Sequence, residues 1–502
     1  MAIFFTLIYV LTAYLAPSTV FGDYAQYHVE IVVVVLALLV TLPAFQGSGI
    51  GQLVQTKAIL GLTVAIVLSF AFNGLKSGSL ETILEFAPSS IVFFFIVLNF
   101  KTKKHLQILI ATLFLFAAFV IYEGASATFA GNTTSTYVLA MTTSEGQWLY
   151  RILGHGFLSD PNDLAQFLVA LIPCMFFFWK KGNTFPNLAF VYLPVAILLY
   201  GMFLTHSRGG MLALLVSAMV LSRRKIGLIP GFIAVAILFA GLSAVGWSGG
   251  RDISAESGAD RMEAWATGLE LIRSHPIFGV GFLRFIEYFP ITAHNSVVVC
   301  CAELGLFGFF FWILLILSTC RDLIVASTPT PAPKKVDAEL EPIHDLYLPI
   351  SATPPLLAAG SRFGPSRIEV PMLELPQNLP QDPRRSQLEL ASANPYAATA
   401  PFPWEDSRED SSVDANESRR LGTLMLVSLT GFLTSGWFLS RSYTMVLFVN
   451  AGIAAAVSRI AREKGVDLPE FPFGKAAKLS AIVCVILLAA VYVLLRVENR
   501  HA

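Results

Sequence analysis

Thirteen apolar runs, most of them close to the length of a membrane-crossing helix and two (87–100 and 210–222) short with soft edges, constrain this chain more than any other feature of its 502 residues. They lie near 2–17, 29–45, 57–73, 87–100, 105–122, 163–179, 187–204, 210–222, 226–247, 294–318, 421–439, 443–460 and 477–496. A bilayer core about 30 Å thick takes roughly 20 residues of helix. Only 14% of the residues are charged, and mean hydropathy is +0.66. A soluble fold cannot hide so much apolar surface, because its exterior must stay largely polar. A soluble enzyme, a disordered chain and a disulfide scaffold are thereby excluded. The expected fold class is all-α, a polytopic transmembrane helical bundle of about 12–13 spans. The first run has no basic segment before it and reads as a retained helix, not a signal peptide.

Basic residues in short loops orient such a bundle. Lys57, the run Lys101, Lys103 and Lys104, the pair Lys180 and Lys181, the run Arg223, Arg224 and Lys225, and then Arg459, Arg462 and Lys464 follow the second, fourth, sixth, eighth and twelfth runs. That side is expected to be cytoplasmic, with the N-terminus there. The long exits 74–86, 123–162 and 248–293 then face the outside or the periplasm. An odd number of spans places the C-terminus outside, against which Arg496 and Arg500 argue, so the last span is the softest.

The organisation follows: N-terminal transmembrane helices over 1–247, a large periplasmic loop over 248–293, a helix over 294–318, a linker over 319–420 and C-terminal helices over 421–502. Fifteen of the 27 prolines fall between Pro329 and Pro403. This Pro-rich stretch reads as a disordered cytoplasmic insertion, or as a docking tail for a cytoplasmic partner. Lys plus Arg equals Asp plus Glu at 34 each, so no basic surface for nucleic acid is indicated. Cys174, Cys300, Cys301, Cys320 and Cys484 sit in or beside apolar runs without paired zinc-ligand spacing and read as small buried hydrophobes.

Polar residues at membrane depth or in large external loops are where chemistry can sit. Thr205-His206-Ser207-Arg208-Gly209-Gly210 joins two apolar runs on the expected outer side. Arg208 presents a planar fork suited to phosphate, and the glycines let the backbone approach a ligand; it is equally an arginine snorkelling at a tight interhelix turn. In the loop 248–293, Met262, Trp265, Ala266, Leu269 and Ile272 form one apolar stripe at helical spacing, fit to lie on the membrane surface or against the bundle. Arg261 stands near the start of that helix, where a cation is unfavourable for the dipole. It either aims at an anion or pairs with Asp260 or Glu263. His294, beside Asn295, opens the tenth run at the outer interface, as an interfacial residue or as a proton acceptor.

Two arginines and a histidine thus share one expected face of the membrane. The guanidinium groups can hold a diphosphate and the imidazole can activate a hydroxyl, which suits glycosyl transfer from a lipid-diphosphate sugar donor. No carboxylate-rich or His/Cys cluster accompanies them, so neither a metal nor another cofactor is needed to explain the site.

At these residues the chain resembles the O-antigen ligase and O-antigen polymerase superfamily of bacterial membrane glycosyltransferases. The resemblance rests on Ser207-Arg208-Gly209-Gly210, Arg261 with Trp265, His275-Pro276-Ile277-Phe278-Gly279-Val280-Gly281, and His294-Asn295 followed by Glu303-Leu304-Gly305. Asp160-Pro161-Asn162-Asp163-Leu164-Ala165 and Trp437-Phe438-Leu439-Ser440-Arg441-Ser442 also fit. It implies about twelve helices, a large periplasmic loop, a bacterial inner-membrane location with the site facing the periplasm, and metal-free transfer of a glycan from an undecaprenyl-diphosphate carrier to a lipid or glycan acceptor. Carried over residue by residue, Arg208 and Arg261 hold the diphosphate and His294 is the general base. Asn295, Arg441 and Trp265 are further substrate-binding candidates. The insertion 319–420 departs from the compact pattern of the family. A transporter of a small solute or inorganic carbon, or a flippase of the same superfamily, is the alternative. Charges kept at span ends favour surface chemistry over it, because alternating access needs polar groups near the midplane.

Overall fold

In the computed structural model residues 1–17, 29–74, 79–143, 146–247, 255–328 and 403–498 are described. All thirteen apolar runs are helical. In chain order the helices are α1 (Ala2–Leu15), α2 (Val29–Thr41), α3 (Val54–Phe72), α4 (Ser79–Asn99), α5 (Lys103–Phe129), α6 (Pro161–Met175) and α7 (Thr184–Leu204). They continue as α8 (Arg208–Ile226), α9 (Leu228–Ala244), α10 (Ala255–Ser274), α11 (Ser296–Ser327), α12 (Pro403–Gly436), α13 (Met445–Glu463) and α14 (Phe473–Glu498).

Among the described residues eight helices are long and apolar enough to cross a membrane, and three apolar ones are shorter. The remaining two runs fall in α8 and α12, whose ends are charged: α8 finishes in Ser222-Arg223-Arg224-Lys225, and α12 begins in the acidic stretch before Arg419 and Arg420. Two helices reach into the stretch 319–420 expected to be unstructured, since α11 runs on to Ser327 and α12 begins at Pro403. The rest of that stretch, 329–402, lies outside the described residues.

One element departs from the all-α expectation. Between α5 and α6 the chain forms an antiparallel hairpin, β1 (Val138–Thr142) with β2 (Trp148–Ile152), in which Ala140 opposes Tyr150. The hairpin is part of the site, because its Arg151 is buried and reaches two neighbouring loops.

The centre of the bundle is α6, α11 and α13, each about four-fifths buried, while α14 is only 22% buried and turns most of its apolar surface outward. Helix α11 is discontinuous. Gly305 has φ 63° and ψ −169°, a conformation essentially reserved for glycine. The groups freed there pair with the segment after α10. Val280 and Gly281 donate to the carbonyls of Ala302 and Glu303 at 3.0 and 2.9 Å, and Leu306 and Phe307 donate to Pro276 and Ile277 at 2.8 and 3.1 Å. A Cβ on Gly279 would stand 2.3 Å from the Glu303 carbonyl, and one on Gly305 2.3 Å from that of Ile277. Two motifs separated in sequence are therefore one backbone-to-backbone joint, and it places α10 against the N-terminal part of α11.

Candidate functional site

The site gathers around the starts of α6, α8 and α11, with α10 packed against α11. Each start is fixed by a cap. Asp160 caps α6, its carboxylate accepting from Asn162 N at 2.7 Å, with Pro161 in the first turn. Ser207 caps α8, its Oγ accepting from Gly210 N at 3.1 Å, which sets Arg208 as the first helical residue. Asn295 caps α11, its Oδ1 accepting from Val297 N and Val298 N at 2.9 and 3.1 Å.

Small residues bring these pieces close. A Cβ on Gly210 would meet Met202 at 2.5 Å and Ala165 of α6 at 2.8 Å, and one on Gly209 would meet Phe438 at 3.3 Å. The arginine of the Ser-Arg-Gly-Gly motif thus enters a wall of tightly fitted helices beside the loop 437–444. Helix α10 packs against the bundle, as one of its two expected positions required. Its deepest residues are Ala264, Gly268 and Leu271, while Met262, Trp265, Leu269 and Ile272 flank them, and Ala266 is exposed. The contact line is turned from the expected stripe because small side chains permit the closest approach: a Cβ on Gly268 would stand 2.3 Å from Val298 of α11.

Electrostatic coupling brings the candidates together. Partial burial, and then the charge of Arg208, lower the pKa of Arg261. Burial first, then the charge of Arg261, lower that of His294; Asp160 acts in the opposite direction and Arg441 adds to the lowering. Arg208, Arg261, His294 and Arg441 therefore share one electrostatic neighbourhood with Asp160. His294 has φ 47°, in the left-handed region that a non-glycine residue seldom occupies, as strained residues at functional sites often do.

The other candidates hold this arrangement. Trp265 Nε1 donates to the carbonyl of Ala293 at 2.7 Å, and its ring meets Trp437 edge-on at 6.2 Å. Asn295 spends its oxygen on the cap, and its Nδ2 is buried with no hydrogen-bond partner among the described residues. Arg441 forms an ion pair with the buried Asp163. Burial acts to lower the Arg441 pKa, but the hydrogen bond and charge of Asp163, with the charge of Asp160, turn the net shift upward. The backbone N–H of Arg441 donates to Ser296 Oγ at 3.1 Å, Ser296 Oγ to the Leu439 carbonyl at 2.6 Å, and Ser442 Oγ to the Ser296 carbonyl at 2.7 Å.

Three residues of the site are absent from the expected set. Asp163 is a carboxylate at the head of an apolar run, a signal that intramembrane charge carries meaning. Asp160 is the acidic group that acts on both His294 and Arg441. Arg151 donates from Nε to the Thr205 carbonyl at 2.9 Å and from Nη2 to Asn162 Oδ1 at 3.0 Å, tying the hairpin to both helix starts. No periodic signal marked it, since it lies on a strand. Among the described residues no three His, Cys, Asp or Glu side chains gather as metal ligands.

Fold and site together define a multi-pass helical membrane protein with a cationic cluster and a histidine at one end of its bundle. Residues 193–313 match the family model described as O-Antigen ligase, which takes in Arg208, Arg261, Trp265, His294 and Asn295 but not Asp163 or Arg441. The match bears out the resemblance and supports an O-antigen ligase-family membrane glycosyltransferase in general terms. No curated relative matches the chain.

Proposed function

We propose that the protein transfers a glycan from an undecaprenyl-diphosphate carrier to an acceptor hydroxyl at the periplasmic face of the bacterial inner membrane. The observation that carries this reading is the chain of charge effects at the helix starts: Arg208 acts on Arg261, and Arg261 on His294. The charge of Arg208 disfavours a second cation at Arg261, and an anion held by both offsets that repulsion. A diphosphate supplies that charge and fits the planar donor forks.

The histidine is tuned for the complementary task. Burial and the charge of Arg261 hold the His294 pKa below its ordinary value, which favours the neutral imidazole with a lone pair to accept a proton. In the transfer, the acceptor oxygen forms a bond to the anomeric carbon of the donor sugar as the bond from that carbon to the diphosphate oxygen breaks. The acceptor proton passes to the His294 imidazole, and undecaprenyl diphosphate leaves with the electron pair. Arg208 and Arg261 stabilise the charge that builds on the leaving group. Arg441 and Trp265 position the walls of the site.

The test is reconstitution of the purified protein in liposomes with an undecaprenyl-diphosphate-linked glycan and candidate acceptors. Release of undecaprenyl diphosphate should fall about a hundredfold or more in His294→Ala and in Arg261→Ala at unchanged protein level. Full activity in both variants would overturn the assignment. Product size separates ligation from polymerisation.

A further inference from the structure

The end of the bundle opposite His294 contains a second cationic feature, a cavity of about 470 Å³ whose lining includes Lys57, Arg321, Arg459, Arg462, Asp322 and Glu470. Helices α3, α11 and α13 connect the two ends. From Gly305, where α11 is broken, to Ser318 at the cavity, the helix rises roughly 20 Å at about 1.5 Å per residue, with Ser296 of the candidate site a further nine residues before the break. The Lys and Arg distribution reads this end as cytoplasmic.

The basic groups are held in place, not merely scattered. Arg459 donates to the carbonyls of Val97 and Phe100 at 2.7 and 2.9 Å. Arg321 donates to Asp322 at 2.9 Å and lies over the Phe471 ring at 5.0 Å. Lys57 lies 5.6 Å from the centre of the Phe473 ring. Two buried groups in the lining make no hydrogen bond among the described residues: Ser458 Oγ and Arg459 Nε, the latter 3.9 Å from the Glu463 carboxylate. Four cations against Asp322 and Glu470 leave the lining with a surplus of positive charge.

We propose that this cavity is a binding site for the phosphate of an anionic glycerophospholipid headgroup from the leaflet on that side. Basic pockets between transmembrane helices at the cytoplasmic surface recognise such headgroups. The lipid source is favoured over free phosphate by what stands at the rim. Phe473 lines the cavity and begins α14, the least buried of the long helices, and Leu479, Ile482 and Ile486 continue outward from it as exposed apolar residues. A headgroup in the cavity can therefore lay its acyl chains along α14. Ser458 Oγ and Arg459 Nε, neither of which makes a hydrogen bond among the described residues, supply a hydroxyl and a charged N–H for phosphate oxygens.

The test uses the full chain, delipidated in detergent, titrated with phosphatidylglycerol and followed by native mass spectrometry and by the midpoint of thermal unfolding. Phosphatidylglycerol is expected to bind and raise the midpoint, and phosphatidylcholine to do so far less. The double variant Lys57→Gln/Arg462→Gln, two exposed residues remote from His294, should bind phosphatidylglycerol on the order of tenfold or more weakly. Its unfolding midpoint without lipid serves as the check that it folds. Equal binding by the folded double variant, or equal binding of the two lipids, would overturn the site. Occupation by inorganic phosphate at concentrations that displace the lipid would overturn the lipid assignment.

Discussion

The indole Nε1 of Trp265 donates a 2.7 Å hydrogen bond to the carbonyl of Ala293, the residue before His294. A residue of α10 thereby holds the loop that carries the candidate base in its left-handed conformation. The bond crosses from the same helix face that bears Arg261, one turn earlier. Trp265→Phe keeps most of the ring and removes this bond. It should cost about 1 kcal/mol of stability and lower kcat about tenfold, with KM for the donor little changed. Steady-state kinetics beside a thermal melt checks this; a raised KM at unchanged kcat would instead make Trp265 a binding contact.

The ion pair of Arg441 with Asp163 joins the loop 437–444 to the head of α6. Asp163 is buried and Arg441 about one-third exposed, so removal of the arginine leaves a carboxylate in an apolar setting without its partner. Arg441→Gln should destabilise the protein by about 2 kcal/mol, less than for a fully buried pair. Arg441→Gln/Asp163→Asn should recover most of that in thermal unfolding, since the carboxylate that needed neutralising is gone. If activity returns with stability, Arg441 serves only to neutralise Asp163; if it stays low, the guanidinium also meets substrate.

The joint between Gly279 and Gly305 leaves no room for a side chain. Both have positive φ, 66° and 63°, and both would place a Cβ 2.3 Å from a facing backbone carbonyl oxygen. Gly305→Ala should cost more than about 3 kcal/mol, combining an unfavourable backbone region with displaced hydrogen bonds. The expected outcome is a sharp fall in folded protein in detergent, seen as loss of the monodisperse peak in size-exclusion chromatography. Gly241→Ala is the control, as nothing stands within 4 Å of its added Cβ.

The bundle was legible because the bilayer imposes its thickness on the chain: each apolar run became a helix near its expected position. Arg208 and His294 were legible as polar groups at span ends, and Arg261 as a cation in the large loop. What holds them was not. Asp163 and Arg441 are separated by more than half of the chain, and nothing periodic links them. Asn295 sat beside His294 as a ligand candidate, yet its oxygen serves as the cap of α11. The glycines of the His-Pro-Ile-Phe-Gly motif were legible only as part of a family resemblance; they form a backbone-to-backbone joint, because a gap in one helix must find its hydrogen bonds in another segment. The hairpin was missed because its strands are only five residues each and carry no strong alternation.

The pH dependence of transfer follows from the groups around His294. Burial comes first, then Arg261, then Arg441 in holding its pKa below the ordinary value, and Asp160 pulls upward. A base must be deprotonated to act, so kcat/KM should be flat through neutral pH and fall only on the acid side, below about pH 6.5. Arg261→Gln removes one cation that disfavours protonation. In its residual activity the acid limb should therefore move up in pH. Asp160→Asn keeps a competent cap for α6 and removes the anion that favours protonation, so its limb should move down. Opposite displacements of the limb in the two variants, measured as kcat/KM from pH 5 to 8, would identify His294 as the titrating base. A limb that stays in place in both would show that another group accepts the proton.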